Sequence, residues 1–253
     1  MKILMLGLLM AALVISGCTQ KADRGSTESQ IQSATVDIVS GNLTYPAYLA
    51  APTAEGKKPA VVLIHSFNGL EPGYRSLTDN FASEGYVVIS PEWQTFNKTP
   101  ADEVLGGLIK DSVAYLRTRN DVDTNRLGLT GFCAGGRYTM LFLPQMPEFK
   151  SGVAWYGFPY SGGFANQSKP ADYIDQLKAP MLMIHGTHDM ASPIADIYSY
   201  ATALNASGKY FELKVYQGQP HGFMIENGQL SQSFEARDAY REMVTFFNRT
   251  LGE

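Results

Sequence analysis

Cysteine is scarce in this sequence: the 253 residues contain two, Cys18 and Cys133. Because Cys18 falls in an N-terminal export segment, Cys133 is the one thiol that remains in the folded part, and no intramolecular disulfide can form there. The core must therefore be stable without cross-links, which a domain of roughly 220 residues can achieve. A single thiol in an exported protein is either reactive or liable to form intermolecular disulfides.

The sequence also lacks any long run of charge of one sign. Its net charge of −4 comes from 20 Lys and Arg against 24 Asp and Glu. Without a basic patch, nothing indicates a nucleic-acid partner. We find no internal repeat and no second domain, and the length fits a single α/β domain.

The N-terminus is typical of an exported chain. Residues 1–17 combine Lys2, an apolar stretch and a small-residue cleavage site, and they predict a signal peptide that is too short for a confident membrane span. The sequence Ile-Ser-Gly-Cys that ends at Cys18 resembles the lipobox of prokaryotic lipoproteins, where the cysteine becomes lipidated. A lipidated Cys18 would anchor the protein to the outer face of a membrane. An ordinary secretory signal is the alternative.

Residues 18–34 are small and polar and predict a flexible tether, which leaves residues 35–253 as the domain. Asparagine is followed by the pattern x-Ser/Thr more often than chance would give. These sites suggest N-glycosylation of an exported protein, unless Ser and Thr simply accompany Asn in surface turns. They are Asn42, Asn97, Asn166, Asn205 and Asn248.

Apolar runs alternate with amphipathic segments along the domain. This alternation predicts an α/β fold with a mostly parallel central sheet, helices on both faces and an antiparallel entry hairpin. The predicted strands are 35–39, 43–49, 59–64, 86–90, 126–130, 151–156, 180–185 and 210–216. The predicted helices are 74–83, 100–119, 194–206 and 234–249, with a further helix after the turn described next.

The segment Gly131-Phe132-Cys133-Ala134-Gly135-Gly136 lies between a predicted strand and an apolar helical segment. Strand, Gly-x-nucleophile-x-Gly turn and helix form the nucleophile elbow of α/β hydrolases, here with cysteine in place of serine. Glycine is needed because the turn is sharp and a Cβ would clash with neighbouring chain. The helix N-terminus favours a thiolate. The alternative is a buried structural cysteine in a glycine-rich turn.

Two further strand ends complete a predicted triad of Cys133, Asp189 and His221. Asp189 follows the strand 180–185, where this fold places the acid that orients its histidine. His221 lies between the last strand and the closing helix, where the general base belongs. Taken singly, Asp189 could instead cap the next helix, and His221 could be an ordinary loop histidine.

The loop after the strand 59–64 supplies the predicted electrophilic partner. In this fold that loop gives one backbone N–H to the oxyanion hole, and the residue after the nucleophile gives the other. We assign these donors to Phe67 and Ala134. They would stabilise the negative charge that develops on the carbonyl oxygen in the transition state.

The elbow at Cys133, Asp189 after His-Gly-Thr-His, and His221 in Pro-His-Gly-Phe together resemble the dienelactone hydrolase family from about residue 35 to residue 250. The resemblance implies an α/β-hydrolase fold and a Cys-His-Asp hydrolase of esters or lactones. We expect a small-molecule ester or lactone as substrate, no cofactor and no metal. Oligomeric state is left open.

The chain departs from the family pattern at residues that would contact substrate. Ser66 stands where the founding enzymes have a glutamate, Ile225 stands where they have an arginine, and the loop 94–98 contains no arginine either. Without these arginines the site cannot bind a substrate carboxylate through charge-assisted hydrogen bonds. We therefore expect a neutral, apolar or aromatic substrate. The expected substrate contacts are Ser66, Trp93, Tyr156 and Phe223. Alternatively, the aromatic residues near the strand ends only pack the core.

Three other functions are compatible with the pattern. A thioesterase or peptidase could use the same scaffold, and a lipid-anchored binding protein could carry a decayed site. The segment His185-Gly-Thr-His188-Asp189 contains metal-ligand residue types, but its spacing is not that of a helical histidine pair.

Overall fold

The computed structural model describes residues 30–164 and 167–252. The predicted signal peptide, Cys18, most of the predicted tether and Asn166 lie outside the described residues. Sixteen elements follow one another along the described chain, with a 3-10 helix at Pro170–Gln176. The helices are α1 (Pro72–Ser83), α2 (Asp102–Arg117), α3 (Ala134–Phe142), α4 (Ile194–Ala206) and α5 (Phe234–Leu251). The strands are β1 (Ile31–Ser40), β2 (Leu43–Pro52), β3 (Lys58–Ile64), β4 (Val87–Pro91), β5 (Val122–Phe132), β6 (Phe149–Trp155), β7 (Met181–Gly186), β8 (Phe211–Tyr216), β9 (Ile225–Glu226) and β10 (Gln229–Leu230).

Eight strands form one sheet in the order β1-β2-β4-β3-β5-β6-β7-β8. The pairs β1–β2 and β2–β4 are antiparallel, and all pairs from β4 to β8 are parallel. The predicted fold class is confirmed. The carboxyl ends of the six parallel strands meet at one edge of the sheet, where the loops that carry chemistry must come together.

The apolar run of β3 explains why the sheet is covered on both faces. Val62 and Ile64 pack into a core layer with α2, α3 and α4, whereas Val61 and Leu63 pack into a second layer with α1 and α5. Successive side chains of a strand point to opposite faces, so a continuously apolar strand needs helices on both sides.

The structure differs from the predicted elements at several places, and β5 begins at Val122, before its predicted start at residue 126. Strand β1 begins at Ile31, inside the predicted tether, because its register with β2 pairs Ile31 with Pro52. The irregular segment before β7 contains the 3-10 helix. The hairpin β9–β10, which turns at Asn227-Gly228, was not predicted, although Asn-Gly is a strong hairpin signal. None of the helices in the described ranges is both long and apolar enough to cross a membrane.

Candidate active site

Cys133 lies at the sharp turn between β5 and α3, in a left-handed conformation with φ 59° and ψ −114°. Two glycines of the turn are required by close backbone contacts. A Cβ on Gly131 would lie 2.2 Å from the Gly135 carbonyl oxygen, and a Cβ on Gly135 would lie 2.1 Å from the Ile64 carbonyl oxygen. The elbow conformation predicted from the sequence is therefore present, and it leaves Cys133 half-buried beside the sheet edge.

Asp189 is held in the turn after β7, where 4% of its surface is exposed. Its Oδ1 accepts hydrogen bonds from the backbone N–H groups of Ala191 (2.9 Å) and Ser192 (2.8 Å), while its Oδ2 accepts one from His221 Nδ1 (2.7 Å). Burial by itself would raise the pKa of Asp189, but the bonds from His221 and Ser192 outweigh it and lower that pKa. The carboxylate thus orients the loop with one oxygen and the histidine with the other.

A second histidine supports this loop. His185 is buried, its Nε2–H donates to the Ser192 carbonyl oxygen at 2.8 Å, and the same nitrogen lies 3.3 Å from Asp189 Oδ2. Burial lowers the pKa of His185, so the neutral ring is favoured. Within residues 30–164 and 167–252, no group of three or more His, Cys, Asp or Glu is placed to hold a metal ion.

His221 reaches Asp189 because its loop passes directly against the end of β7. A Cβ on Gly186 would lie 2.2 Å from the Gln219 carbonyl oxygen, so only glycine permits this approach. Burial lowers the pKa of His221, but the hydrogen bond with Asp189, the nearby Cys133 and the charges of both groups raise it to about 9. Among the described residues, His221 Nε2 has no hydrogen-bond partner. His221 and Cys133 line the same cavity.

The loop after β3 lies against the start of α3, because Gly135 contacts the Ile64 and His65 carbonyl oxygens. The His65 ring is buried, which lowers its pKa to about 4, and its Nδ1–H donates to the Ser66 carbonyl oxygen at 2.7 Å. The backbone N–H groups of Phe67 and Ala134 donate to no acceptor in the described part of the chain. Both residues line a cavity together with Cys133, and their role as oxyanion-hole donors stays a prediction.

Two cavities flank Cys133. The first, which we call the polar cavity, has a volume of about 320 Å³. The second, which we call the apolar cavity, has a volume of about 180 Å³. The polar cavity is lined by Ser66, Phe67, Asn68, Glu71, Tyr74, Cys133, Tyr156, His221, Gly222, Ile225, Asn227 and Gly228. The apolar cavity is lined by Phe67, Cys133, Ala134, Arg137, Tyr138, Phe158, Ser161, Gly163 and Phe164.

The four predicted substrate contacts divide into two pairs. Ser66 and Tyr156 line the polar cavity, and the Tyr156 ring meets the His221 ring edge-on at 5.0 Å. Trp93 and Phe223 line neither cavity, so their predicted substrate contact is wrong. Trp93 is 1% exposed and stacks on His65 at 5.3 Å, and Phe223 is 7% exposed and packs on Tyr156 at 5.7 Å. Each is a large aromatic residue that supports the site from behind.

Glu71 and Tyr74 are among the polar-cavity residues that sequence reasoning missed. The cavity therefore contains a carboxyl group even though Ser66 replaces the glutamate of the founding enzymes. Glu71, at the N-cap position of α1, supplies it. The sequence signal was available: Gly69 predicts a turn, and Pro72 is typical of the first helical position, which brings Glu71 back toward the loop after β3.

Sequence comparison is consistent with this geometry. The profile of the dienelactone hydrolase family matches residues 45–103 and 92–251. A protein of Salmonella typhimurium named "Putative carboxymethylenebutenolidase" is 31% identical over 244 residues, which cover 89% of this chain and 90% of that protein. A protein of Escherichia coli K12 with the same name is 31% identical over 226 residues, covering 82% of this chain and 83% of that protein.

Solved structures give the same result for the fold. A crystal structure from Klebsiella pneumoniae, described as a "Putative Dienelactone Hydrolase", matches with a TM-score of 0.79 and 26% identity, covering 87% of this chain and 99% of that one. An esterase from Thermogutta terrifontis shares the fold, with a TM-score of 0.69 at 18% identity over 87% of this chain and 92% of that one. This chain belongs to the dienelactone hydrolase family, a family of lactone and ester hydrolases on the α/β-hydrolase fold.

Proposed function

We propose that this protein hydrolyses an ester or lactone through a covalent acyl-enzyme on Cys133, with His221 as general base and Asp189 as the residue that orients it. The observation that carries the proposal is the 2.7 Å bond between Asp189 and His221 Nδ1. That bond fixes the proton on Nδ1 and leaves Nε2 to face the cavity lined by Cys133. Nucleophile, base and orienting acid are the three parts that such catalysis requires.

The proposed reaction has two steps. His221 Nε2 takes the proton of Cys133 or, as its raised pKa favours, already holds it beside a thiolate. The sulfur attacks the carbonyl carbon while the oxyanion accepts from the N–H groups of Phe67 and Ala134. His221 then gives its proton to the leaving alkoxide, and the C–O bond breaks. In the second step His221 activates a water, which releases the acid and restores the thiol. Each good oxyanion donor is worth about 3 to 4 kcal/mol of transition-state stabilisation.

The cations near the site support a substrate without a carboxylate. Arg137 lines the apolar cavity, but its side chain is only 4% exposed and donates to both oxygens of Asp102 at 2.8 and 2.7 Å. Two further N–H groups donate to the carbonyl oxygens of Ser161 and Ser168. A guanidinium with these partners has little capacity left for a substrate anion. We therefore propose a substrate whose acyl group is neutral and apolar or aromatic.

The test is hydrolysis of p-nitrophenyl acetate and butyrate by the purified, reduced protein. Activity should disappear in Cys133→Ala and after treatment with iodoacetamide. Folded Cys133→Ala that retains the parent's rate would exclude Cys133 as the nucleophile. An inactive parent whose thiol alkylates no faster than a model thiol would favour a binding protein with a decayed site.

We further propose that the mature chain begins at a lipidated Cys18 and is attached to the outer face of a membrane. The support is the Ile-Ser-Gly-Cys sequence at the end of the apolar N-terminal stretch. Expressed in its native host, the protein should partition into detergent, and Cys18→Ser should partition into water. Equal partitioning of the two forms would contradict lipidation. Intact mass of the same native sample tests N-glycosylation, for which Asn42, Asn97, Asn205 and Asn248 are exposed.

A further inference from the structure

We propose that the polar cavity binds the alcohol part of the substrate and selects a cationic alcohol, with Glu71 as the residue that determines this specificity. The inference rests on the proposed function, because it assigns the two halves of an ester to the two cavities beside Cys133. It goes further than that function in naming the charge of the leaving group and the side chain that recognises it.

The position of His221 decides which half of the ester enters which cavity. His221 must protonate the leaving alkoxide, so the alcohol has to lie on the side of the histidine. His221 lines the polar cavity and does not line the apolar one. The acyl group then lies in the apolar cavity, against the aromatic side chains of Phe67, Phe158 and Phe164.

Glu71 places a carboxyl group in the wall of the polar cavity. Its Oε1 lies close to the turn of the hairpin β9–β10, since a Cβ on Gly228 would be 3.6 Å from it. Partial burial raises the pKa of Glu71, while a hydrogen bond from Ser66 lowers it. A cation bound in the cavity would stabilise the ionised form of Glu71. Its attraction would offset part of the hydration that the carboxylate loses on burial.

No basic side chain in the described ranges neutralises Glu71. No ion pair joins Glu71 to Lys, Arg or His, and the lining of the polar cavity contains no Lys or Arg. The one ring there that carries charge, His221, is already bonded to Asp189. Lys98 contacts the Phe67 ring at 5.0 Å and lines neither cavity. The uncompensated charge of this cavity is therefore negative.

Two buried phenols line the polar cavity beside Glu71. Tyr74 and Tyr156 are almost fully buried, and burial raises the pKa of each, so both stay neutral. They therefore add no charge to that of the Glu71 carboxylate.

The experiment compares two esters of almost the same shape, acetylcholine and 3,3-dimethylbutyl acetate, which differ in having N⁺ or carbon at the branched centre. Hydrolysis is followed by proton release in a pH-stat, which needs no thiol reagent. We expect kcat/KM to favour acetylcholine by about fivefold, the effect of one partly exposed ion pair. Glu71→Gln keeps the shape of the side chain and should bring the ratio of the two esters close to one. Glu55→Gln, at an exposed carboxylate that lines neither cavity, is the control and should keep the parent ratio.

A second measurement separates this inference from the proposed function. Choline binding is followed by calorimetry in the parent and in Glu71→Gln. If both esters are cleaved through Cys133 with a ratio near one in the parent, the inference is overturned and the function stands. If neither ester is cleaved but p-nitrophenyl butyrate is, the proposed function stands and choline binding decides the inference; if p-nitrophenyl butyrate is not cleaved either, the proposed function fails and choline binding still decides the inference. Binding that is lost in Glu71→Gln supports it, and equal or absent binding overturns it.

Discussion

At the residue scale, the site depends on two residues whose backbone conformation is rare for any residue other than glycine. Cys133 has φ 59° and Tyr156 has φ 35°, and each directly follows a strand. Their N–H groups donate across the sheet edge, from Cys133 to the Trp155 carbonyl oxygen (3.1 Å) and from Tyr156 to the Ile184 carbonyl oxygen (2.8 Å). Conformations of this kind cost about 1 to 3 kcal/mol each and persist only where the surroundings enforce them. Here the parallel strands enforce them, and both side chains reach the same cavity.

The two oxygens of Asp189 have separate tasks, which Asp189→Asn distinguishes. The amide oxygen can still accept from Ala191 and Ser192, but the amide nitrogen can only donate toward His221 Nδ1, which favours the wrong tautomer. We expect kcat to fall by about 10⁴-fold while the free energy of unfolding changes little. Ester hydrolysis and urea unfolding check the two effects. A variant that loses stability in proportion to activity would indicate a mainly structural carboxylate.

The pKa of His221 should depend on Cys133. The folded-state pKa of about 9 lies above the usual 6.5, so protonation of His221 stabilises the fold below pH 6.5, and this contribution is lost as the pH rises through 9. Removing the thiol in Cys133→Ala removes one of the interactions that raise this pKa. Histidine ring protons in an NMR titration, assigned with His221→Gln, should show a lower pKa in Cys133→Ala. An unchanged value would mean that Asp189 alone sets it.

At the scale of elements, the site is assembled by backbone contacts that allow no side chain. Gly186 admits the His221 loop to the end of β7, and Gly135 admits α3 to the end of β3. Gly73 does the same for the hairpin β9–β10, because a Cβ there would lie 2.7 Å from the Gln229 backbone. Its N–H donates to the Gly228 carbonyl oxygen at 2.9 Å, which holds the hairpin beside Glu71. The polar cavity therefore exists because α1 and this hairpin touch.

Gly135→Ala and Gly107→Ala form a matched pair of helical glycine substitutions. The first places a Cβ 2.1 Å from a backbone oxygen, whereas the second meets only Ser40 Oγ at 3.7 Å. We expect Gly135→Ala to lower the free energy of unfolding by about 3 kcal/mol or more, and Gly107→Ala to raise it by about 0.5 to 1 kcal/mol. Chemical denaturation measures both. Similar stability of the two variants would show that the elbow can open without cost.

At the scale of the whole molecule, a buried ion pair connects the apolar cavity to the rest of the fold. Arg137 on α3 is joined to Asp102 at the start of α2 and to two carbonyl oxygens of the segment between β6 and the 3-10 helix. The side chains of Arg137 and Asp102 are 4% and 13% exposed. One guanidinium therefore holds two helices and the segment that carries Phe164, whose ring packs at a tilt against Phe67 at 4.8 Å.

Breaking this pair from one side should cost more than removing it whole. Arg137→Met leaves Asp102 without its partner, and we expect a loss of about 3 to 5 kcal/mol in the free energy of unfolding. The double variant Arg137→Met, Asp102→Leu should recover part of that loss, because no buried charge is left. Urea unfolding of the parent, the two single variants and the double variant gives the coupling energy. Additive losses would mean that the pair makes no net contribution.

The sequence by itself determined the order of the elements and the three residues of the proposed triad. The apolar runs determined which strands are buried on both faces, and the alternation of strand and helix determined a parallel sheet. Because the carboxyl ends of parallel strands meet at one edge, Cys133, Asp189 and His221 could be predicted to converge without knowing any distance. The glycines around Cys133 carried the same information, since a turn this tight admits no Cβ.

Only the tertiary structure decided which further side chains face substrate. Trp93 and Phe223 lie near strand ends as predicted, but both turn into the core, because a large apolar surface is more stable when packed than when facing a cavity. The neighbours of Glu71 indicate a turn and a helix start, but they do not show that it lines the polar cavity, since the hairpin on the other side of that cavity is about 150 residues further along the chain. Periodicity predicts the face that a residue occupies within its element, whereas the cavity a loop residue enters depends on which distant segment packs against it.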